Sequence, residues 1–227
     1  MQYTRPSSVT IAALSVAAAL GFLFTAKAAS QVEERADIEM SGISGGIDKP
    51  RRHFRLRNPA DLAPKEAAEI YNIIASSLKA GYKRSGHAVV EAYQGWKRYN
   101  TAPYPSISHG NHYLNNYANP TAKAYGAFED AGTMPVGSII AKDSFSVTVS
   151  RGIVLGPLFI AEKMPPGFNH VTGDWKYTEI LPDGTLLGET NGEGSERVDY
   201  CIACHLAVEK QDHLYFVPKQ YRIDTGQ

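Results

Sequence analysis

The 227-residue sequence predicts an α+β fold that is mainly β: an antiparallel sheet with an N-terminal helix and a short C-terminal helix. Three observations predict it. Residues 64–80 repeat apolar side chains at helical spacing, residues 138–150 alternate with period two, and from Pro103 onward short apolar and aromatic runs are separated by Asn, Gly and Pro.

Each element has a local reason. Pro64 suits the first turn of a helix, Glu66 and Glu69 complement its positive end, and Ile70, Ile73, Ile74 and Leu78 recur along it until Gly81 stops it. A shorter helical stretch is expected from Ala88 to Trp96. In the clearest strand, Ser138 to Ser150, one face carries Ile139, Ala141, Phe145, Val147 and Val149; the other carries Ser138, Lys142, Ser144, Ser146, Thr148 and Ser150. Ile140 and Asp143 break that pattern. The run Ile153 to Ala161, interrupted by Gly156-Pro157, is expected to pair with it. Trp175 to Leu181 then reads as a strand leading through Pro182-Asp183-Gly184-Thr185 into Leu186-Leu187. A short helix from Val198 to Glu209 follows.

The N-terminus reads as a secretory signal. Arg5 supplies the positive region, Val9 to Phe24 is almost wholly apolar, and Ala26-Lys27-Ala28 is a small-x-small pattern, so residues 1–28 are expected to be cleaved after Ala28. The alternative is a retained membrane anchor. Residues 29–58, with Ser41-Gly42, Ser44-Gly45-Gly46 and Pro50, read as a partly disordered linker, and residues 59–227 as a single domain. Basic and acidic residues balance at 23 each, which gives no reason to expect nucleic acid as a partner. The one basic run, Lys49, Arg51, Arg52, Arg55 and Arg57, reads as a solvated patch.

The string Cys201-Ile202-Ala203-Cys204-His205 carries the chemistry. It is the pattern by which c-type cytochromes hold haem: two thiols form thioethers and the adjacent histidine ligates iron. Cys201 and Cys204 are the only two cysteines, so no second pair completes a four-cysteine zinc site. A thioredoxin-like pair, a zinc site recruiting His205 with another histidine, or a local disulfide are the competing readings. The export signal favours one covalent haem c per chain, in the periplasm. Small Met/His cytochromes carry this motif near the N-terminus, whereas only 22 residues follow His205 here and none is Met. Four-helix cytochromes need long helical periodicity upstream, where this chain alternates like a sheet.

The segments Ser108-His109-Gly110, Tyr117-Ala118-Asn119, Pro135 to Lys142, Gly173-Asp174-Trp175 and Cys201-x-x-Cys204-His205, with Asp212 and Phe216, resemble the cytochrome P-460 family in that order. The resemblance implies a largely antiparallel β fold, a homodimer, and a five-coordinate haem with an open iron site. It also implies hydroxylamine oxidation, or nitric oxide binding as in the related β-type cytochromes c′. Cys201 and Cys204 would hold the haem and His205 its iron. Lys142, five residues after Gly137, matches the lysine that enzymatic members bond to the haem edge; read without the resemblance, it is equally well a solvent-facing strand lysine. Glu179, on a strand face with Trp175 and Tyr177, is the candidate distal acid or base, against the alternative of a rim carboxylate. His109 and His112 read as structural. Met134 and Met164 are possible sixth ligands, and Phe159 or Phe168 possible walls of an apolar distal pocket. Two function classes stand: an enzyme passing electrons from a small nitrogenous substrate to a soluble redox partner, and a non-catalytic electron-transfer or gas-binding cytochrome.

Overall fold

Eight antiparallel strands make one sheet in the computed structural model, which describes Pro50 and residues 52–226. The expected signal peptide and most of the expected linker lie outside the described residues. The strands are β1 (Lys97–Arg98), β2 (Tyr104–Ser106), β3 (His112–Ala118), β4 (Ile139–Val147), β5 (Ile153–Leu155), β6 (Leu158–Lys163), β7 (Trp175–Ile180) and β8 (Leu186–Glu189). The order is β1-β3-β4-β6-β7-β8, with β2 also on β3 and β5 also on β4. The α+β, mainly β class is therefore as expected. Both halves of the Gly156-Pro157 run pair with β4, and the break lets them do so: Gly156 N–H donates to Ser144 O while Ser144 Oγ donates to Pro157 O.

The first helix, α1 (Pro64–Tyr82), begins at the expected proline. Its buried stripe is Ala67, Tyr71, Ile74 and Leu78, spaced by four, three and four as a helical face requires, and Ile73 stands 74% exposed. Gly81 does not stop this helix. A Cβ there would collide with the Pro182 carbonyl oxygen, so the glycine serves the close approach of the β7–β8 turn, and the helix runs one residue past it. The short stretch after it resolves into α2 (Ala88–Ala92) and a 3₁₀ turn, Tyr93–Gly95. Among the described residues no helix is long and apolar enough to cross a membrane.

Neither face of the central strands meets water. On one side α1, α2 and the 3₁₀ turn after it pack Tyr71, Leu78, Tyr82, Val90 and Tyr93 against Ala141, Phe145, Ile160 and Ile180. On the other, Ile140, Phe159, Ala161, Trp175 and Tyr177 pack against Tyr125, Met134, Val198, Tyr200, Cys201 and Leu214. The serine and lysine face of β4 is consequently interior: Lys142 is 7% exposed, and Ser144 and Ser146 are fully buried. A reading of Lys142 as a solvent-facing strand lysine is overturned by this second layer, supplied by chain far away in sequence. Asp143 points to the helix side, where Tyr71 and Tyr93 hydroxyls donate to Oδ2 at 2.6 and 3.2 Å and Asn115 Nδ2 donates to Oδ1 at 3.1 Å.

Residues 52–58, the end of the expected linker, lie along the sheet as an arm. Pro59 bridges Thr148, Asn111 Nδ2 donates to Leu56 O, and Leu62 N–H donates to Tyr113 Oη. Gly110, at φ +75°, admits this arm, because a Cβ there would meet the Phe54 carbonyl oxygen.

Candidate functional site

The helix α3 (Asp199–Leu206) carries the motif. Cys201 and His205, four residues apart, share its inward face, while Cys204 sits at the exposed rim, so both thiols are free and on one turn. The inward face closes a cleft of about 430 Å³, open on one side, against Ile140 and Lys142 of β4, Phe159 to Ala161 of β6 and Tyr177 of β7. His53 of the arm, His109 of the β2–β3 turn and Leu214 complete the wall. Strand register explains the grouping. Lys142 pairs with Phe159 and Phe159 with Glu179, which puts one residue from each of three adjacent strands in a single row on the cleft face.

His205 is built to ligate. Its Nδ1 lies 2.6 Å from the His213 carbonyl oxygen, which only accepts, so the proton is on Nδ1 and Nε2 keeps its lone pair. Burial, and next the nearby Lys142 cation, push the imidazole down to about 3, so it stays neutral. The carbonyl is aimed by backbone: Asp212 and His213 both take positive φ, at 52° and 58°. Asp212 is fastened there by Lys163 Nζ, which donates to Oδ1 at 2.6 Å, and by Met134 N–H, which donates to Oδ2 at 2.8 Å.

Lys142 Nζ has no hydrogen-bond or ion-pair partner among the described residues, and burial lowers its ammonium to about 8, with Cys204 opposing the shift. Burial pushes the Cys201 thiol well up. The Tyr177 hydroxyl is also buried without a partner. An apolar cleft, two unpaired thiols on one helical turn, a histidine with its second nitrogen free and unspent polar groups on the wall fit a covalently attached haem.

The structure also sorts the remaining residues. Glu179 is fully buried, not on the rim, and its Oε2 accepts from Tyr200 Oη at 2.5 Å and from His53 Nδ1 at 3.1 Å. Met134 and Met164 do not line the cleft. Phe159 does and Phe168 does not. His112 is structural, bonded to Ser146 Oγ at 2.7 Å, whereas His109 faces the cleft with Nδ1 between the hydroxyls of Ser106 and Ser108. Sequence reasoning missed His53, which sits in a stretch without periodicity and touches Glu179 across 126 residues of chain. The one available signal was a lone histidine beside Phe54 in an otherwise polar stretch.

A sheet whose one face joins a C-terminal Cys-x-x-Cys-His helix to wall a cleft defines a class, the haem-binding cytochromes. Within that class, the family model described as Cytochrome P460 matches residues 90–216, more than half of the chain. The chain belongs to the cytochrome P460 family, related to hydroxylamine-oxidising enzymes. No curated protein matches it.

Proposed function

We propose that this is a periplasmic mono-haem c-type cytochrome that oxidises hydroxylamine. Cys201 and Cys204 would hold the haem through thioethers, His205 would ligate its iron, and the cleft would admit a small nitrogenous substrate. The single observation that carries the reading is Lys142, whose unpartnered amine lies buried in the cleft that Cys201 and His205 also line. That is where the family resemblance asks for a lysine bonded to the haem edge. Bound haem supplies the redox-active iron and the binding position for the substrate nitrogen. The chain would supply the neutral His205 imidazole as iron ligand, the Lys142 amine for a bond to the haem edge, and the Glu179 carboxylate as a group able to hold a proton near the cleft. Export rests on Arg5, the apolar run to Phe24 and Ala26-Lys27-Ala28; a homodimer and a soluble electron acceptor rest on the resemblance.

A second reading, a nitric-oxide-binding or electron-transfer cytochrome, is favoured by the apolar wall of Ile140, Phe159 and Ala161. The experiment is a dithionite-reduced spectrum of the purified holoprotein with hydroxylamine turnover to an artificial acceptor. A ferrous Soret band far to the red of ordinary c-type haem, lost in Lys142→Ala, together with turnover, supports the enzyme. An ordinary c-type spectrum in the wild type refutes the lysine bond, and nitric oxide binding without turnover selects the second reading.

A further inference from the structure

We propose that His53, carried by the arm that precedes the family-matched region, is the base that takes the substrate's proton in the cleft, and that Glu179 acts on the reaction through it. The inference deepens the functional reading above and rests on it. Oxidation of hydroxylamine breaks one N–H or O–H bond for each electron removed. The electron goes to the redox group which that reading supplies, and the proton needs an acceptor in the same place. His53 offers one. Its Nδ1 lies 3.1 Å from Glu179 Oε2, and a carboxylate only accepts, so the hydrogen is on Nδ1 and Nε2 carries the lone pair. Nε2 has no hydrogen-bond partner among the described residues, and the ring lines the cleft. A buried carboxylate behind an imidazole fixes its tautomer and offsets the charge the ring gains with a proton, as in general-base sites built from histidine and an acid.

The ring is seated, not draped. The His53 side chain is 10% exposed, stacks on His109 at 5.0 Å between centroids, and meets Phe159 and Tyr200 edge-on at 4.7 Å each. Asn111 Nδ2, donating to the Leu56 carbonyl three residues on, pins the arm that carries it. A ring nitrogen of His53, a carboxylate oxygen of Glu179 and Cys201 Sγ all lie within 4.8 Å of one another, which places the imidazole beside the attachment thiol. Tyr200 Oη donates to the same Oε2 at 2.5 Å, while Oε1 is buried with no partner among the described residues, so the carboxylate serves the ring and the tyrosine alone. Glu179 is thus a positioning residue. The step balances: the substrate's N–H or O–H bond breaks, an N–H bond forms at Nε2, and the imidazolium passes the proton to water through its small exposed edge. Two rivals line the same cleft. The Lys142 amine is committed to the haem edge in the functional reading. His109 Nδ1 lies between two serine hydroxyls, which accept as readily as they donate, so nothing fixes its tautomer, and burial pushes its ring well below the ordinary histidine value, which makes it a weak base.

The test uses the full holoprotein and a probe besides turnover. Pyridine haemochrome after denaturation first establishes covalent haem, and its absence refutes the functional reading and this inference together. Hydrogen cyanide must give up its proton to bind ferric iron as an anion, whereas nitric oxide has no proton to lose. His53→Ala is expected to slow cyanide association about 100-fold or more, the scale of general-base catalysis, and to leave nitric oxide association at least as fast. His53→Gln, which keeps an amide donor for Glu179 but has no base, should slow cyanide equally. Glu179→Gln, which removes the charge behind the ring, should also slow cyanide and spare nitric oxide. Hydroxylamine kcat should fall in parallel with cyanide association across these variants. The cyanide pattern without hydroxylamine turnover by the wild type refutes the functional reading and leaves His53 as the base of the cleft. Unchanged cyanide association in both His53 variants, an equal slowing of nitric oxide, or a larger cyanide loss in His109→Ala than in His53→Ala overturns the inference and leaves the functional reading standing.

Discussion

Replacing Asp212 by Asn is expected to cost about 3 kcal/mol, and the structure supplies the reasoning. The Asp212 carboxylate and the Lys163 ammonium meet at 2.6 Å with side chains only 8% and 9% exposed. Lys163 also donates to the Gly173 carbonyl at 2.8 Å and lies over the Trp175 ring at 5.2 Å, so it has no route to water once its anion is gone. Removing one partner of such a buried pair costs about 3–5 kcal/mol, because the other charge is left uncompensated. Asn retains one acceptor oxygen and tolerates the positive φ of this position, which puts the loss at the lower end. For a chain of this size that is about 6–12 °C in melting temperature. Denaturant unfolding of the holoprotein measures it, with Lys163→Met and the double variant closing a cycle. The double variant should cost less than the sum of the two singles, because it leaves neither charge unpaired. An Asp212→Asn loss within about 0.5 kcal/mol, or an additive cycle, would refute the claim that this pair fastens the loop behind His205.

Three further outcomes follow from the same packing. Burial, only partly offset by its tyrosine and asparagine donors, raises the Asp143 carboxyl from 3.8 to about 6. The folded state therefore binds the extra proton between those values, and stability should fall by up to about 3 kcal/mol as pH rises from 4 to 6. Urea midpoints across that range should slope in the wild type and flatten in Asp143→Asn; a wild-type curve that instead rises with pH would contradict the burial argument. Gly110→Ala, strained at positive φ and colliding with the Phe54 carbonyl, should loosen the arm, read as faster proteolysis between residues 52 and 58 with the sheet intact. Gly81→Ala should lower the melting temperature through the collision with Pro182 O, at a cost of about 1–3 kcal/mol, and an unchanged melting temperature would show that the turn yields.

The attachment motif was legible because covalent chemistry demands particular residues at fixed spacing, and Cys201 to His205 leave little freedom. Strand β4 was legible from alternation, and β6 and β7 from apolar runs bounded by turn residues. What alternation could not supply was the environment of each face. Lys142 and Ser144 look solvent-facing until the distant α3 and its flanking loops are laid over them, and that is a tertiary fact. Ile73 has the spacing of a core residue yet is exposed, and Tyr71, with a polar tip, is buried because Asp143 and Tyr117 satisfy its hydroxyl. His53 was the hardest to see. Its partners lie in the sheet and in α3, and no pattern within residues 29–58 points to them.

The alternation of β4 also has an evolutionary reading. Lys142 and Asp143 are neighbours that face opposite layers, so losing one residue between Gly137 and Ile140 would exchange a cleft amine for a cleft carboxylate. The hydroxyls of Tyr71 and Tyr93 and the amide of Asn115, which grip Asp143 from behind the sheet, act as a register key against such a slip. The chemistry offered to the cleft is thus set partly by side chains that never touch it. Homologues that change the cleft residue by insertion or deletion should be found to have rebuilt that tyrosine cluster as well.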